Sequence, residues 1–200
     1  AIALQKEQGP ERILDCLQKI QSSSHYLLGL INDILDMSKI ESGKMKLEPV
    51  NFEMREMLDT IQELIAPQAS AKGIEFVQEV TLAHDWFLAD RMRISQVLIN
   101  LLGNAVKFTP EGGRVTLIVR ESDGGEGMSQ VFFAARDTGI GIAEEEQERV
   151  FRAFEQAGAN PSKQQGTGLG LSISSRLVQM MGSGIHLDSV LGEGSTFSFS

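Results

Sequence analysis

The chain has 200 residues, 42% of them hydrophobic and 22% charged, with a formal net charge of -9 and a pI near 4.9. That balance describes one medium globular unit, or a small one with an appendage, and excludes a wholly disordered chain. The acidic surplus repels nucleic acid and anionic lipid at long range, so neither is an expected partner. Apolar stretches such as VLINLLGNAV fall well short of the ~20 residues that cross a bilayer, and no signal peptide is visible at the start. The single cysteine, Cys16, has no partner for a disulfide or a zinc site. The expectation is a reducing, cytoplasmic setting.

From about residue 11 to 39, apolar residues recur at Ile13, Leu17, Ile20, Leu27, Ile31 and Ile34, with Ser24 in the intervening slot. This alternation of four and three is a heptad seam. Leu28 and Leu35 widen the apolar face enough for a helical bundle, and a lone helix cannot bury such a stripe, so self-association is expected. Gly43 and Pro49 then read as helix end and linker.

A second unit follows. Residues 53–70 predict an amphipathic helix on Met57, Leu58, Ile61, Leu64 and Ile65, and GIEFVQEV after it alternates as a strand. DRMRISQVLINLLGNAVKF predicts a helix capped by Asp90, with apolar residues at Ile94, Val97, Leu98, Leu101, Leu102 and Val106. GGRVTLIVRES and SQVFFAARD read as adjacent strands joined by the turn-rich DGGEG. The last third predicts a glycine-rich loop, a helix over 169–181 and two closing strands, GIHLDSV and STFSFS.

Three segments carry chemistry. In QQGTGLGLSIS, Gly166, Gly168 and Gly170 alternate ahead of a helix. The one Gly-Lys pair, Gly43-Lys44, lacks the rest of a P-loop; the spacing is not that of a dinucleotide fingerprint; and the His-Arg-Asp and Asp-Phe-Gly tripeptides of Ser/Thr kinases do not occur. Alternating glycines leave backbone N–H groups open, and a helix start aims unpaired amides at an anion, so the loop is either a phosphate cradle or a plain surface turn. In ARDTGIGI, Asp137 ends a strand ahead of Gly139 and Gly141. An acceptor-only carboxylate there suits an exocyclic amine such as adenine N6, with the glycines turning the chain tightly against a flat ligand; the alternative is an Asp-initiated turn. In INLLGNAVKF, Asn100 and Asn104 share a helical face, with Lys107 about one turn on. Two amide oxygens and an ammonium beside phosphates suit Mg²⁺; otherwise the amides are solvated or satisfied within the core.

Taken in order, Asn100-x-x-x-Asn104-Ala105-x-Lys107-Phe108, Asp137-x-Gly139-x-Gly141, VFRAFEQ with Phe151 and Phe154, and Gly166-Thr167-Gly168-Leu169-Gly170-Leu171 resemble the sensor histidine kinases of two-component systems. KIQSSSHYLLGLINDILDMSKIESGKMKLE is similar to the second dimerisation helix of those kinases, so the resemblance spans the chain. It implies an α+β fold: part of a dimerisation helical hairpin over 1–47, then a Bergerat-type α/β two-layer sandwich with a mixed sheet over 48–200, binding ATP under a lid. By the same resemblance Asp137 would accept from the adenine amine, and Gly139 and Gly141 would admit the base. Asn104 would ligate Mg²⁺ with Asn100 close by, and Lys107 would lie near the phosphates. Phe154, Gly166, Thr167, Gly168, Leu169 and Gly170 would line the nucleotide, Lys163 would meet the terminal phosphate, Thr196 the adenine side, and residues 155–167 would form the lid. The implied partners are ATP, a second copy through the N-terminal helices and a response-regulator receiver domain, in the cytoplasmic part of a sensor.

Two departures stand out. The family's acceptor motif, His-Glu/Asp-x-Arg-x-Pro, does not occur, and neither His25, His84 nor His186 stands in such a context. The expectation is a piece of a longer kinase, starting just after its acceptor. Gln165 stands where the family usually has another glycine, which bears on lid closure. Two other readings remain: a non-catalytic nucleotide-sensing dimerisation module, and an ATPase of the same superfold, which would typically carry a water-activating glutamate where this chain has Asn100.

Overall fold

The computed structural model describes residues 10–125, 127–155 and 168–200. The chain falls into two units, Ala1–Met45 and Lys46–Ser200. The first holds helix α1, Pro10–Glu41, 32 residues and so about 48 Å long at ~1.5 Å per residue. Its heptad residues Ile13, Leu17, Ile20, Leu27, Ile31 and Ile34 are all exposed, as are Leu28 and Leu35 beside them. The helix closes where Gly43 adopts φ 64° and the Lys44 N–H reaches back to the Lys39 carbonyl at 2.9 Å, a left-handed glycine cap.

The second unit is a layer of helices on a mixed sheet. Helices α2 (Met54–Ala71), α3 (Arg91–Phe108) and α5 (Gly170–Met180) match the periodic segments read from sequence. Strands β2 (Glu75–Thr81), β4 (Arg114–Gly125), β5 (Met128–Asp137), β6 (His186–Val190) and β7 (Gly194–Phe199) form one sheet in the order β2-β4-β5-β7-β6. Only β2 and β4 run parallel within it; β4-β5, β5-β7 and β7-β6 are antiparallel.

Register decides which side chains meet the helices, because residues paired across a ladder share a face. Val115, Asp137 and Ser195 line up on one face, followed along the strands by Leu117, Ala135 and Phe197, then Val119, Phe133 and Phe199. Phe133 and Phe199 stack at 5.1 Å, and Gln78, opposite Leu117, donates to the Leu58 carbonyl of α2 at 3.2 Å. This is the helix-packed face, and Asp137 lies at its end. Its apolar partners are the buried stripes Met57, Leu58, Ile61 and Ile65 of α2, Val97, Leu98, Leu101 and Leu102 of α3, and Ile173, Leu177 and Val178 of α5.

The periodicity missed two features. Strands β1 (Val50–Glu53) and β3 (Trp86–Ala89) form a separate antiparallel ribbon, β1 where a linker was expected and β3 in a stretch to which no element was assigned. Four residues span barely two periods of alternation, too few to stand out. Helix α4 (Glu144–Gln147) and the 3-10 turn Arg149–Phe151 carry no apolar period at all.

The loop between β2 and β3 is fastened by Glu121, whose side chain is only 3% exposed. Its carboxylate accepts from the Ala83 N–H at 2.7 Å, the His84 N–H at 2.9 Å, the Ser129 hydroxyl and the His84 ring. The Ser129 hydroxyl and the His84 ring hold the carboxyl down to about 2, and the bond to Glu121 raises His84 above 6.5. The histidine's contribution is complete below pH 6.5 and lost as pH rises through its folded value; the glutamate's is complete above 4.5 and lost as pH falls towards about 2. His84→Ala should therefore lower the thermal midpoint most between these limits, and less at alkaline pH. A deficit that stays constant from pH 5 to pH 9 would mean that the contact does not titrate.

Candidate functional site

Helix α3 carries three of the predicted site residues, and both its ends are pinned. At its start Asp90 accepts the Arg93 N–H at 3.0 Å through one oxygen and the Glu48 N–H at 2.9 Å through the other. That is the cap read from sequence, with a second task added. At its end Thr109 returns both its N–H and its hydroxyl to the Ala105 carbonyl.

Asn100 and Asn104 are both half-buried, but their surroundings differ. The Asn100 amide donates to the Ser174 hydroxyl on α5 at 2.9 Å. Its oxygen lies so close to Gly170 that a Cβ there would overlap it. Asn100 thus joins α3 to the start of α5, a contact between residues 74 apart in sequence. The Asn104 amide, by contrast, makes no hydrogen bond with a described residue. A half-buried amide left open in this way suits an external oxygen ligand or ion. Lys107 has its ammonium 4.6 Å from the Phe108 ring centre, and burial lowers its pKa.

The Asp137 loop is built against the same helix end. Asp137 is 7% exposed, and burial raises its pKa although the Gly139 and Ser195 backbone N–H groups donate to it. One carboxylate oxygen takes the Gly139 N–H at 2.8 Å. A Cβ on Gly139 would stand 2.7 Å from the Phe108 carbonyl, and the Ile140 N–H donates to that carbonyl at 3.3 Å. Gly141 has φ 64°, and a Cβ there would collide with the Val190 carbonyl. Both glycines are therefore required by chain packing against chain, where the sequence reading had them making room for a flat ligand.

Thr196 needs correction. It pairs with Arg136 and lies on the face opposite to Asp137; its neighbour Ser195 is the residue in register with Asp137. A one-residue step along a strand exchanges the faces. Ser195 is buried, its hydroxyl meets that of Ser189 at 2.9 Å, and Ser189 also accepts the Ile142 N–H at 2.8 Å. Ser195, Ser189 and Ser174 went unnoticed in the sequence. The in-register pairing of Asp137 with a hydroxyl residue is the signal that could have found Ser195.

In the glycine-rich stretch, Gly168 has φ 71° and its carbonyl accepts the Phe154 N–H at 3.0 Å. Phe154 itself is exposed and sits at φ 64°, a left-handed conformation rare outside glycine. Leu169, expected at the nucleotide, has its side chain in the core at 1% exposure, and Gly170 opens α5. Lys163, Gly166 and Thr167 lie outside the described residues, as do Gln165 and all of the expected lid over 155–167 apart from Glu155.

The geometry thus brings together the start of α5, the Asn face of α3 and the Asp137 loop, with α3 as the common element. Among the described residues no group of three or more His, Cys, Asp or Glu could hold a metal. A divalent ion here would rest on few protein ligands, which fits Mg²⁺ retaining phosphate and water oxygens, and the open Asn104 amide fits that role.

Comparison with known proteins agrees with this arrangement. The profile of the histidine kinase-, DNA gyrase B- and HSP90-like ATPases matches residues 89–200. The sensor histidine kinase GacS of Pseudomonas protegens is 43% identical over 196 residues, 97% of this chain and 21% of that protein. The chain therefore spans about a fifth of that relative's length. Among solved structures, full-length ShkA in complex with AMPPNP superposes with a TM-score of 0.79 at 35% identity, covering 97% of this chain and 39% of that one. The histidine kinase ThkA, solved in complex with the response regulator protein TrrA, shares the fold at a TM-score of 0.69 and 24% identity over 96% of this chain and 52% of that one. With a buried aspartate at a strand end, an asparagine helix beside it and a family profile that matches residues 89–200, the chain belongs to the histidine kinase-, DNA gyrase B- and HSP90-like ATPases.

Proposed function

We propose that this chain catalyses Mg-ATP-dependent transfer of the γ-phosphoryl group to a histidine outside these residues, with 48–200 as the catalytic domain and 1–47 as part of the dimerisation region. Asp137 accepts from the adenine amine, helped by Ser195 in place of Thr196. Asn104 supplies an amide oxygen to Mg²⁺, which when bound neutralises phosphate charge. Lys107 faces the phosphates, and Gly168 and Gly170 flank the start of α5, whose open amides favour an anion. Lys163, Gly166 and Thr167 remain assigned to the nucleotide by resemblance, and Phe154 to the rim beside Gly168. Phosphoryl transfer depends on positioning and charge neutralisation more than on a protein base.

The observation that carries this reading is that the loop following the buried acceptor Asp137 is hydrogen-bonded, through the Ile140 N–H, to the end of α3, the helix that carries the open amide of Asn104. The Asn100 amide is engaged with Ser174 and cannot act as a base, which weighs against a water-activating ATPase. The exposed seam of α1 supports a homodimer, and a receiver domain is the proposed acceptor of the phosphoryl group from histidine. Among the described residues no helix is long and apolar enough to cross a membrane, and a cytoplasmic location is proposed.

The test supplies the chain with ATP, Mg²⁺ and a separate helical-hairpin domain bearing an acceptor histidine. Acid-labile phosphohistidine on that domain is the expected product, with none on this chain alone. Intact ATP binding with no phosphohistidine on the added domain would defeat the kinase reading.

A further inference from the structure

The C-terminal end of α3 presents four carbonyls without partners inside the helix, and each must be satisfied elsewhere. Ala105 O receives the Thr109 N–H and hydroxyl, and Phe108 O receives the Ile140 N–H. The remaining two are taken by one side chain from another helix: the Lys72 ammonium donates to Val106 O at 2.9 Å and to Lys107 O at 2.6 Å. Lys72 is held on a short leash. It is the C-cap of α2, followed by Gly73 at φ 66°, and the Gly73 carbonyl accepts the Gly112 N–H at 2.9 Å from the turn after α3.

This end of α3 is also where Lys107 and Asn104 project. A helix C-terminus carries about half a negative charge, so it is the wrong end to set beside a triphosphate. On the reading that the phosphates lie by Asn104 and Lys107, we infer that Lys72 is a positioning residue for ATP: it neutralises the last carbonyls of α3 and fixes the turn from which Lys107 reaches the phosphates. It touches no nucleotide atom itself. Its effect should therefore fall on the phosphates and not on the base, which Asp137 holds from the end of β5.

The experiment compares dissociation constants for ATP and for adenosine by calorimetry. In Lys72→Met, ATP should bind roughly three- to tenfold more weakly, the size of a cation's effect at a helix C-terminus, while adenosine binds as in the wild type. Lys72→Arg, whose guanidinium can serve two carbonyls, should restore ATP affinity. Unchanged ATP affinity in Lys72→Met overturns the inference. So does an equal loss for ATP and adenosine, which would mark a merely structural role. The underlying phosphate reading fails separately: in that case the wild type binds ATP no more tightly than adenosine, and Lys107→Met changes neither.

Discussion

Replacing Asp137 by Asn should weaken ATP binding by about 10- to 100-fold, the range for losing a hydrogen bond to a charged group at roughly 1.5–3 kcal/mol. One oxygen of the residue is committed to the Gly139 N–H. If the asparagine keeps its oxygen there, its NH2 faces the adenine amine, donor against donor; if it turns over, the Gly139 N–H loses its acceptor. Neither orientation serves both partners. A 6-oxo purine presents an acceptor in that place, so GTP should lose less than ATP, or gain. Folding should respond in the opposite sense, because burial raises the Asp137 pKa and so charges the wild type a penalty for holding the anion. Wild-type stability from this group is complete below the unfolded value of 3.8 and is lost as pH rises through the raised folded value; the neutral variant escapes that loss. Calorimetric titrations with both nucleotides, alongside urea unfolding at pH 7, measure both effects. Equal ATP affinity in the two proteins would remove Asp137 from the adenine site.

The parts legible in the sequence are those that repeat or that stand close together. The heptad of α1, the apolar stripes of α2 and α3, and the Asp90 cap are local patterns, and the structure forms these helices and this cap as read, except that Leu64 of the α2 stripe is exposed. Asp137 and Asn104 were legible because their chemistry is unusual for their setting: a carboxylate closing an apolar strand, an amide inside an apolar helix. The rest depends on distance or parity. Ser174 acquires its meaning from Asn100 and Lys72 from α3, in both cases through folding that brings distant residues into contact. Thr196 and Ser195 differ by one position, and only strand register tells which of them faces Asp137. The sequence marks Gly139 and Gly141 as a tight turn and Gly170 as part of an open loop, but what they approach is not visible there: Phe108 and Val190 backbone for Gly139 and Gly141, and a side chain for Gly170.

That last contact yields the second large effect. Gly170→Ala should destabilise the fold by about 1–3 kcal/mol, the usual cost of forcing a group into a packed site. Helix propensity argues the other way, favouring alanine over glycine inside a helix by up to about 1 kcal/mol. The structure decides between them, because Gly170 opens α5 and a Cβ there would overlap the Asn100 side-chain oxygen. The obstacle is therefore a side chain that can itself be removed. In an Asn100→Ala background the clash disappears, and Gly170→Ala should become neutral or slightly stabilising, giving a coupling of about 1–3 kcal/mol between two residues far apart in sequence. Urea unfolding of the four proteins measures it, and strictly additive effects would show that the two do not meet. The same cycle bears on function. If Asn100 chiefly fastens α3 to α5 through Ser174, then Ser174→Ala should weaken ATP binding in the same direction as Asn100→Ala, and adding it to Asn100→Ala should cost little more. A water-activating residue would show no such dependence on Ser174, so the non-additivity of this pair separates a bolt between two helices from a group that acts on substrate.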